Sequence, residues 1–179
     1  MHVPNQILKP QYFIFVPLAF LCLSLSACGS GAVHLEPASD AANPNCAKAM
    51  VAMPQELGGY EQRETTAQAT TAWGDPATVI VKCGIEIPEP VSDPCVSVNG
   101  VDWIVKQAEE GKKQDPGSVQ SATGTWTATT FGRTPALQVT FDAEKISSSS
   151  LLLELGSPVT QLEQTQKCTN LDDTLTVDQ

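Results

Sequence analysis

The sequence is poor in histidine and in basic residues, which limits the chemistry open to it. It contains two histidines, His2 and His34, and 10 Lys plus Arg against 20 Asp plus Glu. A Ser-His-Asp triad or a Cys-His pair needs an imidazole beside its nucleophile. Calcium loops of the Asp-x-Asp-x-Asp-Gly type and glycine-rich phosphate loops are also missing from the sequence. We therefore predict no catalytic residue, no metal and no cofactor.

The negative net charge of the chain also limits the kinds of partner that it can bind. The net charge is −10, and it would become −11 if Lys9 were removed with a leader. A surface of this sign repels nucleic acid and anionic lipid headgroups, so we expect neither as a direct partner.

An uninterrupted apolar run of about 20 residues, the length of a membrane-spanning helix, is missing too. Instead, Lys9 precedes a shorter apolar stretch over residues 12–23, which Pro17 interrupts, and small residues lead into Cys28. This order is typical of a signal peptide, and Leu-Ser-Ala-Cys at its end matches the lipobox of bacterial lipoproteins. We predict that residues 1–27 are removed and that Cys28 is lipidated.

Lipidation would hold the protein on the outer face of the cytoplasmic membrane, because two or three acyl chains anchor a protein durably. The alternative is an ordinary secretory signal, cut at a neighbouring alanine, that leaves a free protein. Removal of residues 1–27 leaves 152 of 179 residues, enough for one domain. We expect a flexible tether over residues 28–42, a single domain over residues 43–168 and a disordered tail over residues 169–179.

Four of the six cysteines remain for pairing once the leader is gone and Cys28 is lipidated. They are Cys46, Cys83, Cys95 and Cys168. An even number in an oxidising compartment, without Cys-x-x-Cys spacing, predicts two structural disulfides. Three pairings are possible. We favour Cys83 with Cys95 across a proline-rich connection and Cys46 with Cys168 between the ends of the domain, with free thiols as the alternative.

Local patterns predict helices at both ends of the domain. Asn43 can cap a helix that has Pro44 in its first turn, and Pro54 ends it. Near the C-terminus, four serines precede a leucine-rich stretch, which predicts a helix capped by a hydroxyl. Ser157 and Pro158 then restart a helix towards Cys168.

Strand patterns occupy the middle of the sequence. We predict strands over residues 60–71, 77–83, 125–131 and 136–141 from β-branched runs and alternating polarity. Residues 96–103 predict a hairpin, because Asn-Gly at its centre favours a two-residue type I′ turn. These elements predict an α+β domain: an antiparallel sheet of about five strands, with N-terminal and C-terminal helices packed on one face and two disulfides.

Several motifs follow one another along the sequence: Trp73-Gly74-Asp75-Pro76, Cys83-Gly84, the segment from Val98 to Trp103, and the flanking cysteines. Together they resemble an actinobacterial lipoprotein family of unknown function. The resemblance covers roughly residues 45–168. It implies a location in the cell envelope and supplies no catalytic residues.

Four residues are candidates for contact with a ligand or partner: Trp73, Asp75, Asp102 and Arg133. Trp73 can lie on a binding surface with Asp75 fixing a polar group, although filling the core and turning the chain are more common roles for these residues. Asp75 and Asp102 can act together as a general acid and base. Arg133 can bind a carboxylate or phosphate, or it can be a solvated loop arginine.

Together these features predict a lipid-anchored protein of the cell envelope, a non-catalytic binding or accessory module for envelope or cell-wall assembly. Its partners would be the membrane, through the lipid, and an envelope protein. The alternative is an extracellular receptor for a small molecule. A hydrolase that uses a carboxylate pair is the third possibility.

Overall fold

The structure, a computed structural model, describes residues 31–87, 93–108, 116–119 and 124–168. The helices are α1 (Pro44–Val51), α2 (Ser148–Glu154) and α3 (Gly156–Thr160). The strands are β1 (Glu56–Leu57), β2 (Tyr60–Arg63), β3 (Thr70–Trp73), β4 (Val79–Ile85), β5 (Cys95–Val98), β6 (Val101–Gln107), β7 (Thr125–Thr130) and β8 (Ala136–Asp142). All eight strands form one antiparallel sheet in the order β1-β2-β3-β4-β8-β7-β6-β5. The expected leader, Cys28 and the expected tail lie outside the described residues.

The predicted sheet of about five strands with helices on one face is wrong. A single eight-stranded sheet dominates the described residues, and the helices within them are few and short. Much of the difference lies in residues 56–73, where one strand was expected over residues 60–71 and the structure has β1, β2 and β3. Strand β1 has two residues and the others four, and polar side chains dominate them. No alternating apolar pattern therefore marks these strands, and pairing with their neighbours defines them.

Helix α1 begins where the sequence predicts. The Oδ1 atom of Asn43 accepts a hydrogen bond from the backbone N–H of Asn45 at 3.0 Å, and Pro44 fills the first helical position, where no N–H is needed. Cys46 and Ala49 are buried on the inner side of the helix. The cap and the proline thus fix the start of the element that carries Cys46.

The hairpin of β5 and β6 also has its predicted register. Val98 pairs with Val101, and Val96 pairs with Trp103. Asn99 and Gly100 have φ values of 50° and 78°, the positive values that a type I′ turn requires at both central positions. The predicted strand pair around Pro135 is confirmed as β7 and β8.

Buried side chains form two clusters on opposite faces of the sheet. Along β4, Val79 and Val81 belong to the larger cluster and Ile80 to the smaller one, as the alternation of side chains along a strand requires. Residues of all three helices contribute to the larger cluster. The smaller cluster includes Val33 and Leu35 from the stretch expected to be a tether. The N–H of Val33 donates to the carbonyl of Glu64 at 2.8 Å, so this stretch packs against the domain.

Two disulfides are present, but the favoured pairing is wrong. Cys46 pairs with Cys83, and Cys95 pairs with Cys168. Strand β5 lies four positions from β4 in the sheet, so Cys95 and Cys83 are separated by roughly 19 Å at about 4.8 Å per strand. A disulfide needs Cα atoms within about 7 Å of each other. The sheet order therefore excludes a bond between Cys83 and Cys95.

The chain after α3 does not continue as the predicted helix towards Cys168. Residues 162–168, which we name the C-terminal strap, run instead beside the connection between β7 and β8. The N–H groups of Thr165 and Gln166 donate to the carbonyl of Gly132, at 2.6 and 3.3 Å. These bonds satisfy strap groups that a helix would have bonded internally. In the described part of the chain, no helix has the length and apolar character to cross a membrane.

Candidate functional site

The Trp-Gly-Asp-Pro segment does not form a binding surface around its tryptophan. Trp73 is fully buried in the larger cluster, and its indole N–H donates to the carbonyl of Pro54 at 3.1 Å. Asp75, two residues beyond β3, is exposed and forms an ion pair of 2.8 Å with Arg63. The core role is thus the one that the structure supports for Trp73.

Asp75 and Asp102 are not brought together. Asp75 follows β3, Asp102 lies in β6, and strands β4, β8 and β7 stand between them. Four strand spacings amount to about 19 Å. That distance is about twice the wider separation used by carboxylate pairs in glycoside hydrolysis. The geometry gives no support to a hydrolase built on these two groups.

Asp102 is a buried carboxylate with defined partners. One oxygen, Oδ2, accepts hydrogen bonds from the backbone N–H of Cys168 at 3.0 Å and from Nε2 of Gln164 at 3.3 Å. Both donors belong to the C-terminal strap. Charged acceptors make stronger hydrogen bonds than neutral ones, so Asp102 holds the strap against β6.

Arg133 is buried next to the same strap rather than solvated in a loop. Its Nη1 donates to the carbonyl of Leu162, and its Nη2 lies 3.5 Å from Oε1 of Gln164. The Nε atom is buried and has no hydrogen-bond partner among the described residues. Burial lowers the pKa of the Arg133 guanidinium, and the negative charge of Asp102 opposes that shift. The side chain remains a cation at neutral pH, because its ordinary pKa lies far above that range.

A groove opens beside Arg133. Its volume is about 410 Å³, and it lies between the end of β4, the connection from β7 to β8, the strap and the N-terminal segment. Its lining includes apolar side chains and charged ones: Ile85, Ile87, Phe131, Pro135, Asp40, Glu86 and Arg133. The sizes of small-molecule sites begin near 300 Å³, so the groove is large enough for a compact organic ligand or a few residues of a peptide.

Sequence reasoning found Arg133 and missed the other sides of the groove. Asp40 lies in the stretch expected to be a tether, and Thr165 and Gln166 lie in the stretch expected to be helical. No local pattern marks these residues, because tertiary hydrogen bonds to Gly84 and Gly132 position them. Gly84 and Gly132 have positive φ values of 96° and 65°. In the sequence, the only sign of this backbone conformation is the glycine itself, which is a weak signal.

Cys46, Cys83, Cys95 and Cys168 are all bonded in disulfides, whereas Cys28 lies outside the described residues. Across residues 31–87, 93–108, 116–119 and 124–168, no three His, Cys, Asp or Glu side chains come together in a group that could hold a metal ion.

Comparison with known proteins identifies a family and no activity. The family model DUF3515, described as a protein of unknown function, matches residues 12–168. No curated protein and no solved structure matches the chain.

Proposed function

The chain belongs to the DUF3515 family, and from this premise we propose that it is a lipid-anchored envelope protein whose domain binds another envelope component without catalysing a reaction. The observation that carries the location is the pairing of every cysteine of the described domain in a disulfide. Structural disulfides persist in oxidising compartments and are rare in the cytosol. The lipobox at Cys28 supports attachment to the outer face of the cytoplasmic membrane.

The groove beside Arg133 supports the binding part of the proposal. Apolar side chains can bury part of a partner, and the charged groups at the same place can select its polar ends. Thr134 is exposed in the lining of the groove, so a partner seated there would lie within reach of it. The mixed lining favours a small polar and apolar feature of a partner, such as an exposed loop of an envelope protein.

The anchor is tested by metabolic labelling with an alkyne fatty acid. The wild-type protein should take up the label and sediment with membranes, and Cys28→Ala should lose both properties because the lipobox then has no thiol to receive the lipid. Label retained in Cys28→Ala, or a wild-type protein that stays unlabelled and soluble, would remove the anchor from the proposal.

The binding face is tested by photo-crosslinking in intact cells. Benzoylphenylalanine replaces Thr134 in one strain and Glu61 in a matched control. Glu61 is also exposed, but it lies on β2, three strands or about 14 Å from β8. We expect one reproducible envelope protein joined through position 134, absent at position 61 and lost when Cys28→Ala is added. Equal adducts from both positions, or none, would mean that the groove is not the binding face.

Capture of a small extracellular ligand is the second candidate, and the volume of the groove is the observation that favours it. A ligand at about 100 times its Kd stabilises a protein by about 2.7 kcal/mol, which a thermal-shift panel of metabolites detects. Thr134→Trp would fill the groove and should abolish such a shift, whereas Glu61→Trp should keep it. A panel without any shift in the wild-type protein would count against this candidate and leave the protein-partner role.

A further inference from the structure

The two disulfides differ in their access to solvent. Cys46 is 1% exposed and Cys83 is 0% exposed, so their bond is enclosed in the larger cluster. Cys95 and Cys168 are both partly exposed. The rate of thiol–disulfide exchange depends on access of the attacking thiolate to a sulfur atom. The bond between Cys95 and Cys168 is therefore the more accessible of the two to an external thiol in the folded protein.

This accessible bond holds the C-terminal strap. Cys95 lies in β5, an outermost strand of the sheet, and Cys168 is the last residue of the strap. Between α3 and Cys168, the strap contacts the domain through the buried side chain of Leu162, at its start, and through hydrogen bonds to Asp102, Gly132, Arg133 and Thr134. Six of its seven residues, all except Leu162, are exposed or only partly exposed. Breaking the disulfide removes the covalent tie at the end of a segment with little buried surface of its own.

The strap in turn covers a charged pair. Gln164 lies between the guanidinium of Arg133 and the carboxylate of Asp102, within 3.5 Å of the first and 3.3 Å of the second. The Nε atom of Arg133 is buried here without an acceptor among the described residues. An unsatisfied buried donor destabilises a folded protein, so exposure to water would relieve this one. Thr165 and Gln166 of the strap also form one side of the groove.

We propose that Cys95–Cys168 is a site of thiol–disulfide exchange with an external dithiol, and that its reduction releases the strap and opens the groove at Arg133. One thiolate of the dithiol attacks a sulfur of the pair, the Cys95–Cys168 bond breaks, and a mixed disulfide forms. The displaced cysteine thiolate takes up a proton. The second thiol of the dithiol then attacks the mixed disulfide and releases the other cysteine. The protein gains two electrons and two protons, and the dithiol becomes a disulfide.

The first test measures which cysteines are reduced in the native protein. The protein, purified from whole cells in detergent whether or not it is anchored, is treated with graded dithiothreitol and quenched with N-ethylmaleimide, and each cysteine peptide is quantified by mass spectrometry. Cys95 and Cys168 should be alkylated at least about tenfold faster than Cys46 and Cys83, because access limits the exchange rate. Equal rates for all four cysteines, or faster reduction of Cys46 and Cys83, would overturn the proposal.

The second test measures release of the strap. Arg63 and Arg133 are the only arginines in the sequence, so phenylglyoxal labelling reports on them separately. Reduction of Cys95 and Cys168 should raise labelling of Arg133 at least about fivefold and leave Arg63 unchanged, because exposed side chains react faster than buried ones. The double variant Cys95→Ser/Cys168→Ser should show the same labelling without a reductant. Unchanged labelling of Arg133 after reduction, or in this variant, would show that the strap stays in place.

Neither test depends on a partner or on the lipid. Failure of the exchange proposal would therefore leave the proposed envelope function untouched, and failure of the crosslinking experiment would leave the exchange site standing. Global unfolding on reduction would appear as alkylation of Cys46 and Cys83 together with Cys95 and Cys168. That outcome would count against the proposal.

Discussion

Asp75 and Asp102 carry the same carboxyl group in opposite surroundings. The side chain of Asp75 is 67% exposed and forms an ion pair at the edge of the surface with Arg63, whose side chain is 14% exposed. Asp102 as a whole residue is 6% exposed, accepts two hydrogen bonds from the C-terminal strap and lies near the buried charge of Arg133. Surface ion pairs contribute between zero and about 1 kcal/mol, whereas a buried charge that loses its partner is costly. Their structural roles therefore differ far more than their sequence contexts suggest.

Matched Asp→Asn substitutions should make this difference measurable. We expect Asp102→Asn to lower the free energy of unfolding by about 2–4 kcal/mol, because it removes the charge that compensates Arg133 and weakens two hydrogen bonds. Asp75→Asn should lower it by less than about 1 kcal/mol. Urea denaturation under oxidising conditions measures both. Equal effects of the two substitutions would show that Asp102 does not support the strap.

At the scale of single residues, part of the candidate site is predictable from the sequence. The sequence predicts Arg133 either as an anion contact or as a solvated loop arginine, and in the structure it lines the groove. Its burial was not predictable, because the groups that cover it belong to the strap, about 30 positions further along the chain. The sequence allows Trp73 in the core or on a binding surface, and its burial follows from a sheet order that no local pattern encodes.

At the scale of elements, the sequence predicts correctly those helices and strands whose conformation is determined by interactions within the element itself. The β5–β6 hairpin was predicted in its correct register because Asn99 and Gly100 determine the turn within the hairpin itself. Helix α1 was predicted from its own cap and proline. Strands β1 to β3 are short and polar, and they exist because each pairs with a neighbour. The helix expected to reach Cys168 gave way to the strap because Gly132 offers it hydrogen bonds.

The strap depends on a close approach to Gly132, which a second pair of substitutions can test. Gly132 has a φ of 65°, and an added Cβ atom would lie 2.1 Å from the carbonyl oxygen of Gln166. Gly100 has a φ of 78° and open space around it. Gly100→Ala should cost about 1–2 kcal/mol for the left-handed backbone alone. Gly132→Ala should cost at least about 1 kcal/mol more, because the strap must also move.

Hydrogen exchange separates the two contributions to that loss. In Gly132→Ala the amides of Thr165 and Gln166 should lose protection, whereas in Gly100→Ala they should keep it, since the strap is bonded to Gly132 and not to the hairpin turn. Retained protection of both amides in Gly132→Ala would contradict the close approach as the structure describes it.

At the scale of the whole molecule, the disulfides connect elements that are distant in sequence. Cys46–Cys83 joins α1 to β4 across 37 positions, and Cys95–Cys168 joins β5 to the strap across 73. The even number of cysteines was enough to predict two bonds. Their pairing was not predictable, because it depends on which strands are neighbours in the completed sheet.

Removing each disulfide in turn should show whether chain entropy or packing contributes more to the free energy of unfolding. The entropy model assigns about 4 kcal/mol to each bond and slightly more to the longer loop. Packing predicts the opposite order, because Cys46 and Cys83 are almost fully buried and their replacement by Ala leaves a cavity. We expect Cys46→Ala/Cys83→Ala to lose about 1–2 kcal/mol more than Cys95→Ala/Cys168→Ala in thermal unfolding. The reverse order would mean that loop length outweighs burial here.

The negative net charge of the whole molecule has a measurable consequence for membrane binding. A chain with net charge −10 is repelled by anionic headgroups, and the repulsion is strongest where salt does not screen it. Without the proposed lipid, the protein should therefore have no affinity for a membrane surface. We expect purified Cys28→Ala protein to stay at the bottom of a flotation gradient with phosphatidylglycerol vesicles, at low and at physiological salt alike. Phosphatidylcholine vesicles provide the neutral control. If the protein floats with the anionic vesicles at low salt and not at physiological salt, it has a basic surface that the composition conceals. The proposed lipid would then be one of two membrane contacts.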